Sequence, residues 1–190
     1  MLAKRVIDED SIVAKRRRLR DIIHENSLLK DREFLLASGE RSKYYFDMKM
    51  TTQDPEGAWL VGEVLFEYLE QFDFQYLGGL ATGAIAPMEA VCIRSWPERP
   101  IRGFFVRDEA KDHGTKKLID GFIEDGASVI VVDDVTTKGD SAMKAVHALQ
   151  ARGCKVVCVI SLVDRLEGAK ENFDRAGIRF DSIFTTDDFR

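Results

Sequence analysis

Two adjacent carboxylates, Asp133 and Asp134, come directly after four aliphatic residues in the segment VIVVDDVTTKGDS, which spans Val129 to Ser141. The apolar run is short and rich in β-branched residues, which predicts a buried strand rather than a helix. Ligands of open α/β sheets lie beyond the carboxyl ends of the strands. We therefore expect both acids to face a ligand.

The residues after this strand predict a phosphate site. They supply backbone N–H groups, three hydroxyls and the start of a helix, which together bind anions well. They are Val135, Thr136, Thr137, Lys138, Gly139, Asp140 and Ser141. Carboxylates do not bind phosphate, so Asp133 and Asp134 must face ribose hydroxyls or a Mg²⁺ that arrives with a polyphosphate. The alternative is an ordinary turn in which Asp134 or Thr137 caps the next helix.

The composition describes a protein with one sizeable domain. Of the 190 residues, 45% are apolar and 32% are charged, and the net charge of -5 gives no support for general nucleic-acid binding. No apolar run approaches membrane-spanning length, and the first 19 residues are unlike a signal peptide. The three cysteines lack a metal-binding grouping and are typical of a reducing cytoplasm.

Alternating strand and helix patterns predict a mainly parallel sheet with helices on both faces. The predicted helices are 10–29, 55–72, 85–93 and 141–152, and the predicted strands are 76–80, 101–106, 129–132, 155–163 and a final edge strand within 178–184. Two further strands are expected within 34–50, joined by a turn at Ser38–Glu40. The stretch 107–121 is expected to be a polar loop. For helix 55–72 the expected core face is Trp59, Leu60, Val64, Leu65 and Tyr68.

A basic run, Lys15 to Arg18 followed by Arg20, lies on the first predicted helix. Acidic residues surround this run on both sides. It therefore indicates a solvated helix face or a subunit contact rather than a nucleic-acid site.

The Val129–Ser141 segment resembles the phosphoribosyl-diphosphate (PRPP) signature of the type I phosphoribosyltransferases, in which two acids follow an apolar strand and precede a Thr- and Gly-rich loop. The resemblance implies that the loop binds the 5′-phosphate of PRPP. It also implies that Asp133 and Asp134 contact the ribose hydroxyls, or the electropositive ring as it becomes oxocarbenium-like.

Two further segments resemble the orotate branch of this family. The segment FVRDEAKDHG, Phe105 to Gly114, is similar to its mobile catalytic loop, in which Arg107, Lys111 and His113 would stabilise the charge that develops on the leaving pyrophosphate. The segment LVDR ends at Arg165, where the resemblance implies an Arg–carboxylate pair with the base.

The N-terminal segment LASGERSKYYFDMKM resembles the hood of the same enzymes, in which Tyr45 and Phe46 would stack on the base. An equally weighted interpretation is that Tyr44 and Phe46 alternate into a core. The segment GGLATGA, with Thr82 and Gly83, resembles a second phosphate loop whose small residues let the backbone approach the pyrophosphate.

These resemblances imply a single domain, residues 1–190, with hood elements from about 1–50 and the C-terminal end. The implied reaction is Mg²⁺-dependent transfer of ribose 5-phosphate from PRPP to orotate in pyrimidine biosynthesis. Arg165 and Thr137 would bind the base, and Mg²⁺ would arrive with PRPP rather than occupy a protein site. The resemblance further implies a cytoplasmic homodimer in which the loop acts across subunits.

Two positions depart from the family pattern. Asp108 and Ala37 stand where lysine is usual, and Lys43, Lys116 or Lys117 would have to supply the missing charge. These departures leave open a phosphoribosyltransferase for another base, or a non-catalytic PRPP-binding regulator of the same fold. A dinucleotide-binding protein is excluded because no GxGxxG motif follows an early strand.

Overall fold

The computed structural model describes residues 11–30, 33–35, 41–108 and 118–190. Within these ranges the helices are α1 (Ile12–Ile22), α2 (Lys49–Thr52), α3 (Pro55–Leu69), α4 (Ile85–Ser95), α5 (Asp140–Gln150) and α6 (Ala169–Arg175). The strands are β1 (Leu28–Leu29), β2 (Phe34–Leu35), β3 (Arg41–Ser42), β4 (Tyr45–Phe46), β5 (Tyr76–Leu80), β6 (Arg102–Val106), β7 (Ile119–Gly121), β8 (Ser128–Thr136), β9 (Lys155–Asp164) and β10 (Phe180–Thr185).

A six-stranded sheet with the order β10-β9-β8-β5-β6-β7 forms the centre of the protein. Every neighbouring pair is parallel except β6 and β7. The prediction of a mainly parallel sheet is confirmed, and so is the edge position of the final strand. The crossovers bring the carboxyl ends of β5, β8 and β9 to one edge, where the predicted phosphate loop begins.

Alternate residues of β8 enter two separate cores. Ile130 and Val132 pack in one core with apolar residues of α1, α3 and α4. Val129 and Val131 pack in the other with residues of α5 and α6. This alternation of side chains is the reason that the strand is continuously apolar from Val129 to Val132.

Several predicted boundaries shift in the structure. In the segment predicted as the first helix, the α-helix α1 ends at Ile22 and is followed by a π-helical turn over Ile23–Ser27. Trp59, expected in the core, is half-exposed on α3, whereas Leu60 and Leu65 are buried as predicted. Strand β8 also continues through both aspartates to Thr136, so the loop is shorter than the sequence suggested.

Several short elements were not predicted, among them β7 and α6. Strand β7 lies within the stretch expected to be a polar loop, and it adds an antiparallel edge next to β6. Helix α6 occupies the segment between β9 and β10. It is only seven residues long, and a pattern of that length carries little helical periodicity.

The N-terminal segment, called the hood below, forms small antiparallel pairs, β1 with β4 and β2 with β3. The predicted turn at 38–40 lies outside the described residues. A short 3₁₀ turn, Thr186–Phe189, ends the chain, and the Phe189 ring packs against Phe46 of β4 at 5.2 Å and Phe184 of β10 at 5.8 Å. The C-terminal end therefore ties the hood to the main sheet.

None of the helices in the described ranges is long and apolar enough to span a membrane.

We predict that Phe189→Ala lowers the free energy of unfolding by about 3 kcal/mol, because it removes a buried ring that joins the hood to β10. Urea denaturation followed by circular dichroism would measure the loss. Phe122→Ala, at an exposed phenylalanine beside β7, is the matched control and should change stability by less than about 1 kcal/mol. Equal losses in the two variants would contradict this role for Phe189.

Candidate active site at the carboxyl edge of the sheet

Asp133 and Asp134 lie near the carboxyl end of β8, between β5 and β9. The Asp133 carboxylate accepts hydrogen bonds from the Asp134 N–H at 3.1 Å and from the Thr136 hydroxyl at 3.4 Å. The Asp134 carboxylate accepts one from the Val135 N–H at 2.8 Å. These bonds orient both acids toward the edge of the sheet where the sequence predicted a ligand.

Burial works against the charge of this pair. Desolvation, together with the neighbouring Asp134 carboxylate, raises the pKa of Asp133 well above the ordinary carboxyl value. Desolvation also raises the pKa of Asp134, although the Val135 N–H and the Lys49 ammonium act in the opposite direction. Two acids in this state favour a cation, a hydroxyl donor or a proton as their neighbour.

Thr82 and Gly83 follow β5 directly in front of the aspartates. A Cβ atom on Gly83 would lie 2.6 Å from Asp134 Oδ1 and 3.0 Å from Asp133 Oδ1. Only glycine therefore permits this close approach of the backbone to the carboxylates. The Ala81–Thr82 peptide bond is cis, and Thr82 is exposed at the same edge.

The phosphate-type loop connects β8 to α5 through Thr137, Lys138 and Gly139. Gly139 has φ +86°, a left-handed conformation that glycine adopts without strain. Helix α5 then begins at Asp140, with Ser141 exposed in its first turn. Because Gly139 has no side chain, the first N–H groups of α5 are not capped by it and can face an anion.

Residues of α6 support this loop from behind, and no sequence motif predicted them. The Asn172 side-chain amide donates a hydrogen bond to the Lys138 carbonyl at 2.7 Å. The ring of Phe173 lies so close to Gly139 that a Cβ atom there would fall 2.6 Å from its Cε2 atom. No motif marks these two residues, since their role depends on how α6 packs.

Arg165 comes directly after β9 and donates its backbone N–H to the Thr136 carbonyl at 2.9 Å. Its side chain is buried. One terminal nitrogen lies 2.9 Å from the Ser42 hydroxyl and 2.8 Å from Glu167, and the guanidinium carbon lies 4.6 Å from the centre of the Tyr44 ring. Its Nε atom is buried and has no hydrogen-bond partner among the described residues. This residue therefore joins the phosphate-type loop to the hood.

The aromatic residues of the hood divide by burial. Phe46 is buried against Phe189, and Tyr44 packs edge-on against Phe46. This agrees with the alternative interpretation, in which Tyr44 and Phe46 alternate into a core. Tyr45 is only partly buried and stacks on Phe34 at 5.6 Å. In this arrangement Phe46, which the resemblance placed against the base, packs in the core, whereas Tyr44 and Tyr45 are only partly buried.

The stem of the predicted catalytic loop begins at Arg107, whose Nε atom lies 2.7 Å from Asp120 of β7. Asp108, the residue that departs from the family pattern, pairs with Lys144 of α5 at 2.6 Å, and both side chains are exposed. Lys111, His113 and the candidate cations Lys116 and Lys117 lie outside the described residues, as does Ala37. Lys43 is exposed in the hood.

The carboxylate pair fits a metal ion that a ligand brings. No cluster of three or more His, Cys, Asp or Glu side chains suited to a metal occurs within the described ranges. Two buried acids with raised pKa values nevertheless favour a nearby cation. The donor set therefore suits Mg²⁺ supplied by a polyphosphate rather than a metal in an all-protein cage.

Comparison with known proteins agrees with this geometry. The model of the phosphoribosyl transferase domain family matches residues 76–182, which include the aspartate pair, the phosphate-type loop and Arg165. An orotate phosphoribosyltransferase of Bradyrhizobium sp. strain BTAi1 is 44% identical over 181 residues, covering 93% of this chain and 97% of that protein.

Solved structures give the same result. The orotate phosphoribosyltransferase of Mycobacterium tuberculosis H37Rv in complex with Fe(III) dicitrate has a TM-score of 0.81 and 35% sequence identity, covering 92% of this chain and 98% of that one. A structure of the same enzyme with 5-phospho-α-D-ribosyl 1-diphosphate has a TM-score of 0.76 and 31% identity, covering 93% and 92%. The chain belongs to the phosphoribosyltransferase family and, within it, to the orotate phosphoribosyltransferases.

Proposed function

We propose that this protein transfers ribose 5-phosphate from PRPP to orotate, giving orotidine 5′-phosphate and pyrophosphate in pyrimidine biosynthesis. The observation that carries the proposal is the arrangement at one edge of the sheet. A buried carboxylate pair lies between the start of α5 and the Gly83 backbone, and Arg165 is bonded to Thr136 beside them. Each part suits one portion of the two substrates.

The 5′-phosphate binds at the loop from Val135 to Ser141. Backbone N–H groups at the start of α5 point toward the anion, and the positive end of the helix dipole favours its charge. In this proposal the Thr137 and Ser141 hydroxyls donate further hydrogen bonds to the phosphate, and Thr137 also contacts the base. This end of the site depends on dipoles rather than on a titrating group.

The ribose binds at Asp133 and Asp134. Both carboxylates accept hydrogen bonds from the ribose hydroxyls, and their negative charge stabilises the ring as it becomes oxocarbenium-like. The reaction needs no covalent intermediate with the protein, because the ring accepts the orotate nitrogen as the bond to pyrophosphate breaks. The acids act by charge, and so their ionisation limits the rate at low pH.

Orotate binds at Arg165, beneath the hood. The guanidinium is buried and its Nε atom lacks a hydrogen-bond partner among the described residues, which the carboxylate of orotate would supply. Tyr44 and Tyr45 lie on the hood side of the site, where an aromatic ring can cover the flat base. A base without a carboxylate would leave the Arg165 side chain unsatisfied and would bind less well.

Pyrophosphate leaves toward the stem of the loop and the Thr82–Gly83 backbone. Arg107, Lys111 and His113 neutralise the charge that develops on it. Mg²⁺ that arrives with PRPP would offset the negative charge of the leaving group, and Asp133 and Asp134 are the residues that would hold it. In the structure, Arg107 pairs with Asp120 of β7.

We also propose that the protein is a cytoplasmic homodimer in which the loop acts at the site of the neighbouring subunit. Three large apolar side chains, Trp59, Ile93 and Trp96, border an open groove of about 570 Å³ between α3 and α4. Exposed patches of this kind mark protein–protein contacts. The three cysteines are free, which agrees with a reducing compartment.

We predict that the native protein consumes orotate only when PRPP and Mg²⁺ are both present, as measured by the loss of orotate absorbance. Asp108→Lys should change kcat/KM by no more than about fivefold, because the exposed Asp108–Lys144 pair contributes at most about 1 kcal/mol. Adenine and hypoxanthine serve as control bases. PRPP binding by calorimetry without turnover of any base would favour the regulator instead.

We predict that Asp133→Asn abolishes most activity and yet stabilises the protein at pH 7. A carboxyl whose pKa is raised by folding binds its proton more tightly in the folded state, so stability falls as the pH rises from about 4 through the raised value. The neutral amide avoids this loss, and a gain of about 1 kcal/mol would raise Tm by about 2–4 °C.

The gain in Tm for Asp133→Asn should shrink as the pH is lowered toward 4, because the native Asp133 is then protonated. Asp125→Asn is the control, since Asp125 is exposed and pairs with Arg152 at the surface. A Tm for Asp133→Asn below that of the native protein at pH 7 would contradict the conclusion that burial of the Asp133 carboxylate destabilises the fold.

We predict that Ile93→Glu converts the dimer to monomers, because it places a charge in the apolar groove between α3 and α4. Sedimentation velocity would measure the change in mass. If the loop acts across subunits, activity should fall with dimer content. Phe122→Glu, at an equally accessible phenylalanine outside the groove, should keep both mass and activity. A native protein that sediments as a monomer and is fully active would contradict both parts of the proposal.

A further inference from the structure

The loop from Thr137 to Gly139 must hold its N–H groups in one ordered arrangement, although it consists only of a threonine, a lysine and a glycine. Two contacts from α6 supply that order. Asn172 bonds the Lys138 carbonyl at 2.7 Å, and the Phe173 ring fills the space beside Gly139. Both contacts fall on consecutive loop residues, which share one peptide bond.

The direction of the Asn172 amide is fixed by a second partner. Its Oδ1 atom accepts a hydrogen bond from the Arg175 guanidinium, one turn further along α6. Arg175 can only donate, so the oxygen of Asn172 must face it and the NH₂ group must face the Lys138 carbonyl. The hydrogen bond to the loop is thus specified rather than interchangeable.

Helix α6 is itself firmly attached to the sheet. Phe173 is fully buried and its ring stacks on Phe180 of β10, with 5.0 Å between the centroids. Ala169, at the start of the same helix, is also buried in that core. Asn172 therefore reaches the loop from a fixed support.

A planar trans peptide places its C=O and N–H in opposite directions. When Asn172 binds the Lys138 carbonyl, the N–H of Gly139 in the same peptide unit must point away from α6. A rotated peptide would instead aim a carbonyl oxygen at the anion that binds in front of the loop. The charge of a phosphate makes that orientation unfavourable.

We propose that Asn172 is a positioning residue for the phosphate site: by binding the Lys138 carbonyl it sets the 138–139 peptide so that the Gly139 N–H faces the 5′-phosphate. It does not touch the substrate. The inference rests on the proposed function for the identity of the ligand, ribose 5-phosphate as part of PRPP. Arg175 takes part by orienting the amide of Asn172.

The test compares three ligands by calorimetry on the full chain: PRPP, ribose 5-phosphate and magnesium pyrophosphate. Asn172→Asp keeps the size of the side chain and replaces the donor with an oxygen that repels the Lys138 carbonyl. We expect it to weaken PRPP and ribose 5-phosphate by about tenfold each, the upper range for one lost hydrogen bond, and to leave magnesium pyrophosphate unchanged. In turnover, KM for PRPP should rise while KM for orotate stays constant.

Asn172→Ala is the second variant, since alanine favours helix and removes the donor without adding charge. It should weaken ribose 5-phosphate by a smaller factor than Asn172→Asp. Lys170→Ala is the matched control on the same helix. Lys170 is exposed and pairs with Asp174, and its loss should leave all three affinities unchanged.

Unchanged binding of ribose 5-phosphate in both Asn172 variants would overturn the proposal. Equal weakening of all three ligands would also overturn it, because that result indicates general loss of structure. The binding measurements need no orotate. Failure of orotate turnover in the native protein would therefore count against the proposed function, and not against this role of Asn172.

Discussion

The burial of two adjacent carboxylates at the end of the central strand is the constraint on which the rest of the site depends. Asp133 and Asp134 lie in an environment that raises the pKa of both and so favours their neutral forms. Such an arrangement weakens the protein unless a ligand compensates for it. The Thr136 hydroxyl, the Val135 N–H and the Lys49 charge each lessen the cost without removing it.

The hood and the sheet meet at Arg165, and this contact explains why such short N-terminal strands have a defined place. Ser42 and Tyr44 contact the guanidinium of Arg165. The backbone N–H of the same residue donates a hydrogen bond to Thr136 at the end of β8. Phe46 and Phe189 add an apolar contact from the other side. Two-residue strands are not stable alone. Their arrangement follows from these contacts with the larger domain.

The main strands were predictable because the apolar runs of β5, β8 and β9 are continuous and end in recognisable loops. The site residues on β8 and the residue after β9 were predictable for the same reason. Helix α6 and strand β7 were not predictable, because segments of seven and three residues show too little periodicity. The prediction that Trp59 lies in the core was wrong, because helical spacing alone cannot distinguish a core face from an exposed apolar face. The role of Asn172 was not predictable, because it depends on a contact with Lys138, which lies 34 residues away in the sequence.

The two ends of the site, as we propose it, differ in the physical basis of binding, and this difference separates binding from chemistry. The phosphate end consists of backbone dipoles that α6 and α5 fix in advance, so it needs little reorganisation and no change of charge. The ribose end consists of acids whose charge becomes favourable only when positive charge develops near them. Affinity is therefore concentrated at the part of PRPP that does not react, and the electrostatic stabilisation is strongest where the bond breaks. A site with the reverse arrangement would bind the substrate ground state tightly and gain little in rate.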